Sequence, residues 1–185
     1  MGGLVSYLMS WAAPAAPQYD ATPDPTTGLT KREKELIIQT WAPIADRSKV
    51  KENGLEFFIQ LFLAYPYMQN YFSLFKGKSI EELRTSAKLK AHATSVMYAL
   101  TSYVENVEDS ENLVGLVQKI AVSHIGRGIT VEDFEKLKTV FLKFLMSGLG
   151  DRATPEVETA WTKLLTAHNA VYKMTADEIA SKGNN

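Results

Sequence analysis

Apolar residues recur at three- and four-residue steps along most of this chain, the period of helices that bury one face. The series opens at Thr30-Lys-Arg-Glu33, where the Thr-x-x-Glu spacing of a capping box precedes Leu36, Ile37, Thr40 and Trp41, and Pro43 lies near the end of that helix. A second stripe runs through Leu55, Phe58, Ile59 and Phe62 to Tyr65-Pro66, where proline disfavours continuation and predicts a corner. From Ser79 to Glu105 the pattern predicts one or two helices, and Leu89, His92, Val96, Leu100 and Tyr103 share a face of that stretch. Ser110 to His124 predicts another helix, with Leu113, Leu116, Val117 and Ile120 inward, ended by Gly126-Arg127-Gly128. Thr130 can cap a helix carrying Phe134, Leu137, Phe141, Phe144 and Leu145 as far as Gly148-Leu-Gly150. Thr154-Pro155 then gives an N-cap and a first-turn proline ahead of Val157, Trp161, Leu164, Leu165 and Val171. No alternation of the strand type interrupts the series, so the predicted class is all-α, with seven to eight helices.

The pattern also divides the chain. Residues 1–29 contain no Lys or Arg and are rich in Ala and Pro between Ala12 and Pro25, which predicts a flexible N-terminal extension. Residues 30–175 carry the periodic helices and form the expected domain, and 176–185 the expected C-terminal tail. A formal net charge of −1 provides no basic field for nucleic acid, which is not an expected partner. No apolar run approaches the roughly 20 residues of a membrane-spanning helix, and the N-terminus lacks the positive flank of a secretory signal. The expectation is an intracellular, cytoplasmic protein.

Cysteine is absent, which removes disulfides, thiolate metal sites and cysteine nucleophiles. The candidate chemistry therefore rests on His92 and His124, each on the inward face of a different helix. Taken singly, either is read equally well as a core imidazole with a hydrogen-bond partner. Taken together, they could ligate one metal. Neither has a carboxylate at the spacing of His-Glu-x-x-His or of a di-iron bundle, so hydrolytic zinc and carboxylate-bridged iron lose support. A planar cofactor that needs only axial ligands fits better, and haem is such a group. The corner from Met68 to Lys78 is dense in aromatic side chains, so Phe72 and Phe75 are expected to cover something.

Five motifs in order carry a family resemblance from about Leu29 to Met174: Leu29-Thr-x-x-Glu33 with Trp41; Pro66 with Phe72 and Phe75; Lys90-Ala-His92 with Val96; Ser123-His124; and Thr154-Pro-Glu-Val157 with Trp161. In these the chain resembles the globin family. The resemblance implies a globin fold around a haem pocket, with haem b as cofactor. It implies His124 as the proximal iron ligand and His92 as the distal histidine, with Phe58 and Val96 in the distal pocket. Phe72, Phe75, Ile120, Ile129, Phe134 and Leu137 are the implied contacts of the ring or its edge. The sequence departs from many relatives at Ser95, where a basic residue for a haem propionate is common. Arg127 or Lys88 could take that role, and the third histidine, His168, is expected to be structural or at the surface.

Phe58 together with His92 resembles neuroglobin and globin X most, in which both histidines often hold the iron. That implies a six-coordinate, bis-histidyl globin that binds O2, CO or NO reversibly, with haem redox chemistry, electron transfer through an unassigned redox partner, or sensing. The alternatives are a five-coordinate oxygen storage or transport globin, a haem-dependent nitric oxide dioxygenase or nitrite reductase, and a haem-free sensor module of the same fold. Met1-Gly2-Gly3-Leu4-Val5-Ser6 matches the N-myristoylation pattern at Gly2, which implies attachment to the cytoplasmic face of a membrane. One such chain binds membranes only marginally. Leu4, Val5, Leu8, Trp11 and Ala12 could add an apolar stripe.

Overall fold

The computed structural model of the protein describes residues 20–183, and these are helical with no strand among them. Seven α-helices follow in order: α1 (Lys31–Trp41), α2 (Val50–Ala64), α3 (Ile80–Arg84), α4 (Ala87–Glu105), α5 (Ser110–Ile125), α6 (Val131–Leu149) and α7 (Pro155–Gly183). A 3-10 turn over Pro66–Tyr71 joins α2 to α3, and a shorter one over Gly150–Arg152 follows α6. The all-α fold expected from the periodicity is the fold observed.

Local chemistry sets most of the boundaries. Thr30 and Glu33 close the expected capping box of α1, and Thr130 and Asp133 close another at the start of α6. The stretch from Ser79 to Glu105 divides into two helices. Ser79 and Glu82 form a box that starts α3, and Ser86 accepts from the Leu89 amide to start α4 in a new direction. Gly128, at φ 78°, lets the chain turn out of α5 towards α6, a backbone setting that a side chain would strain.

The core lies where α1, α2, α4, α6 and α7 meet. Trp41, Phe141 and Trp161 stack there with ring centroids 5.7–6.1 Å apart. Their buried polar edges are satisfied across helices: the Trp161 indole donates to Thr40 Oγ1 at 2.9 Å and that of Trp41 to Thr101 Oγ1 at 3.0 Å.

Both expected domain boundaries shift. Part of the extension belongs to the fold, because Asp24 to Leu29 form a strap on the domain, with Thr27 and Leu29 buried. Asp24 accepts from the Thr26 and Thr27 amides and pairs with Lys34 at 2.8 Å, which holds that strap to α1. At the other end, the expected tail continues α7 as far as Gly183. Ala176 to Lys182 contain no helix breaker, and Lys173 pairs with Asp177 one turn on at 2.6 Å. Gly2 and the apolar stripe Leu4 to Ala12 lie outside the described residues.

Candidate functional site

Buried apolar residues fall into two separate clusters. The larger contains most of the core, and the smaller is built on Ala121, Phe134 and Tyr172. A cavity lies where they come together, with about 1000 Å³ of empty space, its open mouth included. The walls come from α2, the 66–72 corner, α4, α5, the loop after it, α6 and α7, so seven segments of the chain converge on one space.

Of the residues expected at a site, nine line this cavity: Phe58, Phe72, His92, Val96, Ile120, His124, Ile129, Phe134 and Leu137. On one side, the His92 ring packs edge-on against Phe58 and Phe72, at centroid distances of 5.2 and 5.1 Å. On another, the His124 ring meets Phe134 at 5.5 Å, and Phe134 stacks on Tyr172 at 4.4 Å.

Two expected contacts are not part of the wall. Phe75 is buried behind Phe72, 5.5 Å between centroids, so it supports the aromatic ring that faces the cavity without reaching the space itself. Arg127 is exposed and its guanidinium folds back onto the Ser123 carbonyl and hydroxyl, one turn earlier on α5. Neither other position considered for a propionate supplies a charge at the wall: Lys88 is exposed, and the exposed Ser95 hydroxyl donates to Ala91 O at 3.1 Å.

The two histidines differ in how they are held. His124 Nδ1 lies 2.8 Å from Ile120 O. A carbonyl can only accept, so Nδ1 carries the proton and Nε2 keeps its lone pair, the form that ligates a metal. The loop that follows is fixed from both ends, since the Ile129 amide donates to His124 O and Tyr172 Oη donates to Ile129 O at 2.7 Å. His92 makes ring contacts but no hydrogen bond to any described residue. Burial holds both imidazoles below their ordinary pKa, reinforced for His92 by His124 and Arg127, and for His124 by Arg127 against the opposing bond to Ile120 O. Both are therefore neutral at physiological pH.

Sequence reasoning missed a third imidazole. His168, expected to be structural or at the surface, lines the cavity, stacked between Phe134 at 5.2 Å and Tyr103 at 5.5 Å. Its Nδ1 donates to Asn169 Oδ1 at 3.0 Å, and Asn169 in turn donates to Glu135. The signal was present, because Trp161, Leu164, Leu165 and His168 follow one inward stripe of α7. Tyr71 and Asp133 were also missed as wall residues.

A slot with apolar walls, one imidazole with a fixed Nε2 lone pair, and a second imidazole without a hydrogen-bond partner among the described residues fit a haem. Among the described residues no group of three or more His, Cys, Asp or Glu side chains is placed to hold a metal ion. Comparison with known proteins gives the same class. The globin family model matches residues 55–172. A globin of Nerita albicilla is 31% identical over 144 residues, which cover 78% of this chain and 90% of that protein. One from Buccinum undatum is 32% identical over 139 residues, 75% of this chain and 94% of that protein. The solved structure of ferric Aplysia limacina myoglobin superposes with a TM-score of 0.73 at 28% identity, covering 80% of this chain and 98% of that one. The chain belongs to the globin family.

Proposed function

We propose that the protein is a haem-binding globin that takes up diatomic gas reversibly, with oxygen storage as its role. The observation that carries this reading is His124: one nitrogen is committed to Ile120 O, which leaves the other as a lone-pair donor in the wall of a mostly apolar cavity. His124 would hold haem b there, and its iron would supply the site at which a gas binds. The remaining work falls to the chain. Phe72 and Phe134 supply flat apolar faces, Ile120, Ile129 and Leu137 exclude water, and neutral His92 has a ring N–H to offer a polar ligand. The likeness to Aplysia limacina myoglobin, one of whose structures concerns azide binding to the ferric protein, supports the storage role over electron transfer.

A second reading is six-coordinate, with His92 as well as His124 on the iron, as the resemblance to neuroglobin and globin X implies. Its support is the His92 ring, which lacks a hydrogen-bond partner among the described residues. An external ligand would then have to displace His92, and apparent affinity would fall by the fraction of open sites. The absorption spectrum of the ferrous, ligand-free protein separates the two. One broad visible band is expected for five-coordinate iron, and sharp split bands would replace the storage reading with the six-coordinate one. Protein that stays colourless and takes up no added haemin would refute both.

A further inference from the structure

Among the described residues Asp133 is the one carboxylate in the cavity wall, with only 6% of its surface exposed. A charge so placed needs several partners, and it has them. Tyr67 Oη donates to Oδ1 at 2.6 Å and Tyr71 Oη to Oδ2 at 2.8 Å, while the Thr130 amide and hydroxyl donate to Oδ2 at 2.9 and 2.8 Å. On the outer side Lys136 Nζ donates to Tyr67 Oη at 3.1 Å and pairs with Glu132 at 2.8 Å. The phenols stand on the turn after α2, and Asp133 on the first turn of α6, more than 60 residues away.

The neighbours of these residues connect the cluster to the cavity. Phe72 directly follows Tyr71 and packs on His92; Phe134 directly follows Asp133 and packs on His124. Each polar contact thus sits one residue from an aromatic wall. We propose that Tyr67, Tyr71 and Asp133 form a clamp that sets the spacing between the Phe72 wall and the Phe134 wall, and so acts as a positioning device for the group bound between them. The inference rests on the haem reading above. Breaking the clamp leaves both histidines intact and lets the corner swing from α6, so the expected effect is on retention of the cofactor and not on its coordination.

Asp133→Asn would disturb the α6 cap as well, so the test uses the double variant Tyr67→Phe/Tyr71→Phe, which removes the two hydroxyls and keeps both rings. Thr130→Ala serves as a control that weakens the cap and spares the phenol bonds. The first readout is transfer of haem to an excess of a scavenging protein. Loss of a hydrogen bond to a charged group typically exceeds a tenfold change in an equilibrium, so transfer from the double variant should be faster by about tenfold or more, with an unchanged absorption spectrum. The second readout is amide exchange in the apoprotein, expected to accelerate together at residues 66–72 and 126–134. A wild-type transfer rate, an equal acceleration in Thr130→Ala, or exchange unchanged in those two segments would each overturn the clamp. If wild-type protein takes up no haemin, the haem reading fails, and the exchange experiment alone decides the clamp.

Discussion

Gly54 lies where α2 crosses α4, and replacing it with alanine is a direct test of that packing. A Cβ built at this position would stand 2.9 Å from Met97 Cγ, 3.0 Å from Ala93 O and 3.1 Å from Ala93 C. The methionine can move aside; the backbone of α4 cannot do so without shifting the helix. Overpacking of this kind costs about 1–3 kcal/mol, whereas glycine to alanine inside a helix contributes about 1 kcal/mol in the opposite sense. The net expectation for Gly54→Ala is a loss of about 0–2 kcal/mol, or a Tm lower by about 2–4 °C for each kcal/mol in a chain of this size. Because Ala93 adjoins His92, the shift of α4 should also alter gas-binding rates.

Gly115 provides the internal control. It too is helical, in α5, but a Cβ there meets nothing within 4 Å, so Gly115→Ala should gain stability from helix propensity alone, roughly 0.5–1 kcal/mol. Urea unfolding of the two variants beside wild type measures both signs in one assay. If Gly54→Ala is stabilised as much as Gly115→Ala, the close approach of α2 and α4 is wrong, and with it the account of how α4 is seated behind His92.

Further outcomes are expected at four positions. His124→Ala should abolish stable haem retention, and unchanged haem occupancy after gel filtration would refute the proximal assignment. His92→Leu should raise the oxygen dissociation rate by about tenfold if His92 donates one hydrogen bond to the ligand, whereas a change of the ferrous spectrum to high spin would place His92 on the iron. Burial raises the Asp24 carboxyl, but Lys34 and the Thr27 and Thr26 amides outweigh it and bring its pKa down to about 2. Its contribution, about 2 kcal/mol for a depression of that size, is complete above the unfolded value near 4 and lost as pH falls through 2; Asp24→Asn should therefore unfold more easily at neutral pH, with a flatter acid limb. We also propose that Gly2 is myristoylated, in which case Gly2→Ala should shift the protein from membrane to soluble fractions in its native cell type; an unaltered distribution would discard the proposal.

Sequence periodicity revealed the helices and about half of the wall because a buried cavity and a core draw on the same inward faces. Phe58, Val96, Ile120 and Phe134 could be named for that reason. It fails where direction, and not facing, decides. Phe75 points inward, as expected of an aromatic residue in a corner, yet it lies behind Phe72. Arg127 had the right charge near the right helix end, but its own α5 offers the Ser123 carbonyl and hydroxyl first. Asp133 was readable as an N-terminal cap and not as a wall residue, because its phenol partners come from a segment more than 60 residues earlier. The strap at Asp24 to Leu29 was hidden by the composition around it, since prolines and small residues suggest a linker even where a single aspartate organises a turn.

The unequal hold on the two histidines is the feature that links fold to function. His124 is fixed through Ile120 O, so its ring cannot turn without breaking that bond, and the loop behind it is tied to α7 through Ile129 and Tyr172. His92 is confined by the edges of Phe58 and Phe72, contacts that tolerate a small movement more readily than directional hydrogen bonds do. A permanent ligand needs the first kind of support, and a residue that must give way to an incoming gas, or adjust to it, needs the second. Under the proposed function the same asymmetry would serve five- and six-coordinate iron alike, because in either state His92 would be the side that accommodates the gas.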